Sequence, residues 1–194
     1  MAEITPWLTF TTAAVAESPG GMGWANPQAA LDPDGQEAAS ANVGVFPDFE
    51  STDALRLGGL ALGDHLPARF ALIGLEIETR GRWTGTSTSA RSLTLRRLDG
   101  AQVAGNIGAC ALPLGPASGV CVAGGPAQPL GLRARDLTAP GFGVQLLGSA
   151  TGAVSFEGNT LLIDSVRARV FWEGAPGARS RSRRRAAFTG GLLA

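Results

Sequence analysis

The chain contains no lysine and no tyrosine, a single histidine and two cysteines among 194 residues. Without lysine, no phosphate-binding loop of the Gly-x-x-x-x-Gly-Lys-Ser/Thr type can form, and no Schiff-base or ammonium chemistry is available. One histidine, His65, set in the loop sequence Gly63-Asp64-His65-Leu66-Pro67, cannot supply a usual zinc ligand set. A catalytic role for it would need partners that its surroundings do not suggest. Two cysteines, Cys110 and Cys121, do not make a disulfide framework, and free thiols are the expectation. Charged residues are 16% of the chain, below the roughly 25% of ordinary domains. No apolar run approaches the ~20 residues of a membrane-spanning helix. The first residues lack the basic and apolar pattern of a secretory leader, so synthesis in a cytoplasm is expected.

All 16 cations are arginines, each a planar fork suited to bidentate pairing. The formal net charge of zero hides a division. Arg179, Arg181, Arg183, Arg184 and Arg185 lie in one short run, and the rest of the chain sets 11 arginines against 16 acids, a net of −5. The run is followed by apolar residues, Phe188, Leu192 and Leu193. A basic segment with an apolar tip favours docking on protein. DNA contact through phosphate charge is the weaker reading, because no aromatic residues interleave the arginines to stack on bases.

Glycine at 28 and proline at 12 residues favour turns over long helices. Period-two alternation is clearest in 72–80, where Ile73, Leu75, Ile77 and Thr79 share one face and Glu76, Glu78 and Arg80 the other. It recurs in 92–98 with Leu93 and Leu95 inward, before the Asp99-Gly100 turn, and in 142–147 with Phe142, Val144 and Leu146 together. In 160–172, Leu162, Val166, Ala168, Val170 and Trp172 are expected on one face and Arg167 and Arg169 on the other. In 54–62, Gly58-Gly59 splits Leu55 and Leu57 from Leu60 and Leu62, as a bulge would. Segment 101–131 is rich in small residues, and Val120-Cys121-Val122 is its best strand; 36–41 carries a weak helix-like run. Several short strands at this spacing predict an all-β chain, an antiparallel, jelly-roll-like β-sandwich. The expected organisation is an N-terminal arm or edge strand over 1–23, the sandwich over 24–173 and an Arg-rich C-terminal arm over 174–194.

Two patterns frame these strands. The first is Trp24-Ala25-Asn26-Pro27 with Asp34-Gly35. The second runs Gly124-Gly125, Leu130-Gly131, Asp136-Leu137 and Phe142-Gly143-Val144. A closing strand carries Asp164, Val166, Ala168, Val170 and the aromatic pair Phe171-Trp172. In order and spacing, over residues 24 to 172, this resembles a group of small β-sandwich structural proteins of tailed bacteriophages and phage-like particles. In that group a tryptophan follows the leucine where Gly131 stands here, tyrosines close the last strand, and no Arg-rich arm is present. The resemblance implies a virion protein without catalytic residues or cofactor, made in the host cytoplasm and carried in the particle. It implies other virion structural proteins as partners, and a homo-oligomer is expected. Placement in the tail, baseplate or fibre-attachment region is favoured, with a capsid-surface decoration or head-spike protein as the alternative.

Other chemistries compete. A host-glycan-binding module would need an exposed aromatic platform, for which Trp83 in Arg80-Gly81-Arg82-Trp83 is the candidate. A glycosidase would use paired carboxylates such as Glu76 and Glu78, about 7 Å apart by strand rise. Two carboxylates on the outer face of a strand are more often solvated or paired with cross-strand arginines. Asp32-x-Asp34-Gly35 begins like a calcium loop but lacks a terminal bidentate carboxylate at the required distance, so consecutive turns are expected.

Overall fold

The structure is a computed structural model and describes residues 2–41, 50–62, 65–85, 90–151 and 159–174. Twelve strands are defined: β1 (Glu3–Ile4), β2 (Leu8–Ala16), β3 (Trp24–Ala25), β4 (Ala38–Ser40), β5 (Glu50–Ser51), β6 (Ala54–Leu60), β7 (Phe70–Thr84), β8 (Ala90–Asp99), β9 (Gln102–Cys110), β10 (Gly119–Gly125), β11 (Phe142–Thr151) and β12 (Thr160–Gly174). A 3-10 turn covers Pro27–Ala30, and one short helix, α1, covers Ala134–Leu137. The pairing is antiparallel throughout the main path, β10-β7-β12-β2-β6-β11-β8-β9. The chain is therefore all-β and sandwich-like, as the alternation predicts.

One layer is built on β7 and β12, each 15 residues long and paired from Thr160↔Thr84 to Gly174↔Phe70. The other is built on β11, between β6 and β8. Strand β2 joins them. Its Leu8 and Thr9 pair with β12, whereas Phe10 to Ala16 pair with β6. Residues 8–16 thus form a corner strand that passes from one layer to the other, each part of it paired on one side.

The Gly58-Gly59 break belongs to this corner. Phe10 and Ala13, three residues apart, are both buried, and so are Leu55 and Leu57. Yet the β2–β6 pairing keeps one register from Phe10↔Leu60 to Ala16↔Ala54, interrupted at Thr11 and Gly59. No extra residue enters either strand, so the phase change seen in the sequence is not a one-strand bulge. Gly59 sits in the left-handed region at φ 65°, and Thr11 Oγ1 donates 2.9 Å to its carbonyl. A side chain at Gly59 would be strained and would strike Thr11.

Strand β12 does contain a bulge, between Ile163 and Ser165. It sets Leu161 and Ile163 in the core with Val166, Ala168 and Val170. Leu162, expected on that face, is only half-buried, because the extra residue reverses the alternation. A second shift falls between Phe171 and Trp172. Trp172 is partly buried and packs edge-to-face on Phe70, ring centres 6.4 Å apart.

Three local expectations change. Residues 38–40 form strand β4 against β12 and β3 rather than a helical turn. Strand β9 was invisible in the sequence because Gln102–Cys110 is mostly small residues; it follows the expected Asp99-Gly100 turn as a hairpin on β8. Cys110 and Cys121, expected as free thiols, form a disulfide with Cα atoms 6.0 Å apart. They meet because β9 and β10, one from each layer, converge at the open side of the sandwich.

The core runs through both layers. Its largest member is Trp83, fully buried with Leu161 and Leu146. Gly148 on β11 makes the room: a Cβ there would press on Leu161 and lie 3.2 Å from Trp83 Cη2. Trp83→Ala should cost about 3–5 kcal/mol of unfolding free energy by leaving a ring-sized cavity. Urea denaturation measures this, and a variant within ~0.5 kcal/mol of the parent, as for a surface site, would contradict the burial.

Candidate interaction surfaces

Burial removes Trp83 as a glycan platform. A fully covered ring cannot stack on a sugar, and the backbone of Trp83 is itself engaged, its N–H donating to Pro113 O at 2.7 Å and its carbonyl accepting from Gly115 N at 2.9 Å. The arm residues Arg179, Arg181, Arg183, Arg184, Arg185, Phe188, Leu192 and Leu193 lie outside the described residues.

The outer face of the β7–β12 pair carries the most ordered set of charged groups. Register places Arg167 opposite Glu78 and Arg169 opposite Glu76. Each arginine binds its glutamate through the guanidinium. The Glu76 and Glu78 side chains keep only 10% and 12% of their exposure, so of the two expectations, solvated or paired with cross-strand arginines, the second is the one found. Both arginines also meet Trp7: the guanidinium carbons lie 4.5 Å (Arg169) and 5.6 Å (Arg167) from its ring centre. Arg169 further reaches Phe171 at 5.5 Å. The indole thus shields one side of the ion pairs, which strengthens them relative to solvent-exposed pairs.

A second surface forms where the Asp32–Glu37 loop lies against the bulge of β12. Asp164, at the bulge, accepts from Gly35 N at 3.2 Å and pairs with Arg80 Nε at 3.3 Å. Arg82 binds Glu37 at 2.9 Å and donates to Pro116 O at 2.8 Å. These side chains, with Asp34 and Ser118, border a polar cleft of about 420 Å³. Asp34 Oδ1 accepts from Gln36 N at 2.9 Å, the side-chain turn expected of Asp-x-Gly sequences. Among the described residues, no three His, Cys, Asp or Glu side chains converge on a point that could hold a metal ion. His65 is exposed, its backbone N–H donating to Leu62 O at 3.1 Å. Arg91, whose fork grips Asn159 Oδ1 at 3.0 and 2.8 Å, has its pKa lowered by desolvation.

The paired signatures occupy joints of the sandwich. Trp24 Nε1 donates 2.7 Å to Asp53 O, and Asp53 Oδ1 accepts from Ser18 N at 2.9 Å. Asn26, at φ 48°, reverses the chain before Pro27 starts the 3-10 turn. Leu130 and Gly131 are both left-handed, and Asp136 accepts from Arg133 N at 2.7 Å to cap α1. Sequence reasoning missed Trp7, Asp53 and Asp164. The signal for Asp164 was a lone acid inside the apolar run Leu161-Leu162-Ile163.

Comparison with known proteins gives no matching family model, no similar curated protein and no similar solved structure.

Replacing Arg169 by alanine should cost about 2–4 kcal/mol, because it leaves Glu76 covered and unpaired. Adding Glu76→Gln should recover part of that loss, giving a coupling of about 1 kcal/mol or more in a denaturation double-mutant cycle. Strict additivity would show that the pair carries no interaction.

Proposed function

We propose that the chain is a structural subunit of a tailed-phage or phage-like particle, working through protein–protein contacts in the tail, baseplate or fibre-attachment region. The observation that carries this reading is the ordered set of sequence signatures from Trp24 to Trp172, whose turn residues Asn26, Gly35, Leu130 and Gly131 sit at the joints of an all-β sandwich. Low charge and glycine-rich turns suit a protein that lives against neighbours. The Arg-rich, apolar-tipped segment beyond Gly174 supplies a contact arm opposite in sign to the body, which carries −5 without it. The proposal assigns no catalysis, in keeping with Glu76 and Glu78 being held by arginines.

Cryo-electron microscopy of the native particle, with a variant lacking residues 178–194, tests the reading. The full chain should be found in the particle at the tail or baseplate. The truncated chain should fold, with an unchanged circular dichroism spectrum, but be incorporated at least roughly tenfold less, since its anchoring contacts are gone. Density on the capsid surface would move the protein to the head. Absence from purified particles, or normal incorporation without the arm, would overturn the proposal or its arm-mediated form respectively.

A further inference from the structure

The main strand path does not close on itself by hydrogen bonding. Its two ends, β10 and β9, face each other, but β10 pairs with β7 and β9 with β8. Among the described residues, no ladder joins them. The Cys110–Cys121 bond crosses the seam, and Gly108 approaches Ala123 closely, where an added Cβ would lie 3.3 Å from the alanine methyl. The segment between the cysteines is held separately, by the Pro113 and Gly115 hydrogen bonds to Trp83.

The two sulfurs are not equivalent. Cys121 is 5% exposed and packs in the core beside Ala123. Cys110, at the end of β9, is half-buried and borders solvent. Exchange with a small thiol or disulfide depends on access to the sulfur attacked as well as on thiolate character. We propose that this pair is a thiol–disulfide exchange site that latches the seam, with Cys110 as the entry sulfur and Cys121 as the resolving one.

The chemistry is complete with a small-molecule disulfide such as glutathione disulfide as oxidant. The Cys110 thiolate attacks one glutathione sulfur, forms a mixed disulfide and expels a glutathione thiolate. The Cys121 thiolate then attacks Sγ of Cys110, forms the protein disulfide and expels the second glutathione thiolate. The two cysteine protons pass to the two expelled glutathione thiolates, giving two glutathione thiols, and the two electrons lost by the cysteines reduce the glutathione disulfide. Glutathione thiol drives the reverse, attacking first at Cys110. β9 and β10 are sheet edges paired on one side only; with the latch open they are no longer held against each other, and such edges are where added strands pair. The latch stands apart from the particle assignment: it needs only the seam and the two sulfurs.

Full-length Cys121→Ser and Cys110→Ser variants, incubated with glutathione disulfide and followed by intact mass, test the order of events. Cys121→Ser should accumulate a stable glutathione adduct on Cys110, and Cys110→Ser should form its adduct roughly tenfold more slowly or worse. Equal or faster modification of Cys121 would overturn the assignment. Hydrogen exchange of the wild-type chain, oxidised against reduced, tests the latch without any substitution. Amides of β9 and β10 should exchange faster on reduction while β7 and β12 stay unchanged. Identical exchange in the two states would overturn the latch even if the sulfur chemistry occurs.

Discussion

Everything else in this molecule is hung on the antiparallel pairing of β7 with β12. The two strands are 15 residues each and matched along nearly their whole length. Their inner faces place Leu75, Ile77 and Trp83 beside Ile163, Val166, Ala168 and Val170, all fully buried. Their outer faces place glutamates on one strand against arginines on the other. The same alternation therefore supplies half of the core and a ladder of ion pairs capped by Trp7. Because partners such as Glu76 and Arg169 are far apart in the chain, this pairing carries a large closure cost that only the buried area and the ladder can offset.

The remaining strands solve the problem of a two-layer sheet: how to cross from one layer to the other without leaving polar backbone unpaired. On one side β2 crosses continuously, and the Thr11 hydroxyl donates to the Gly59 carbonyl where its pairing with β6 is interrupted. On the other side, among the described residues, no strand crosses, and a disulfide joins the two edges. The two sides of the sandwich thus differ in kind. One is fixed by backbone geometry, and the other depends on redox conditions.

The sequence was legible where alternation was strong. Strands around Leu75, Leu93, Val144 and Val166 could be placed from period two alone, and most of their inward residues are in the observed core; Ile73 and Leu162, each beside a register shift, are only half-buried. It was illegible where one residue resets the phase. Asp164 reversed the expected direction of Leu162, and no local propensity marks a bulge of that kind. Strand β9 was hidden by its composition, since Ala, Gly and Asn give neither pattern nor bulk. Missing β9 also hid the cysteine partnership, which is set by convergence of two layers and not by spacing. Trp83 shows the limit for sites: an aromatic that follows two arginines reads as a surface residue until its alternation with Leu75 and Ile77 is followed to the end of the strand.

Native-state hydrogen exchange under increasing denaturant tests the central role of the β7–β12 pair most directly. The amides of Leu75, Ile77, Val166 and Ala168 should be the slowest in the protein and should exchange only through global unfolding. If instead they open in a partial unfolding event while β8 and β11 remain protected, the pair is not the element on which the fold depends.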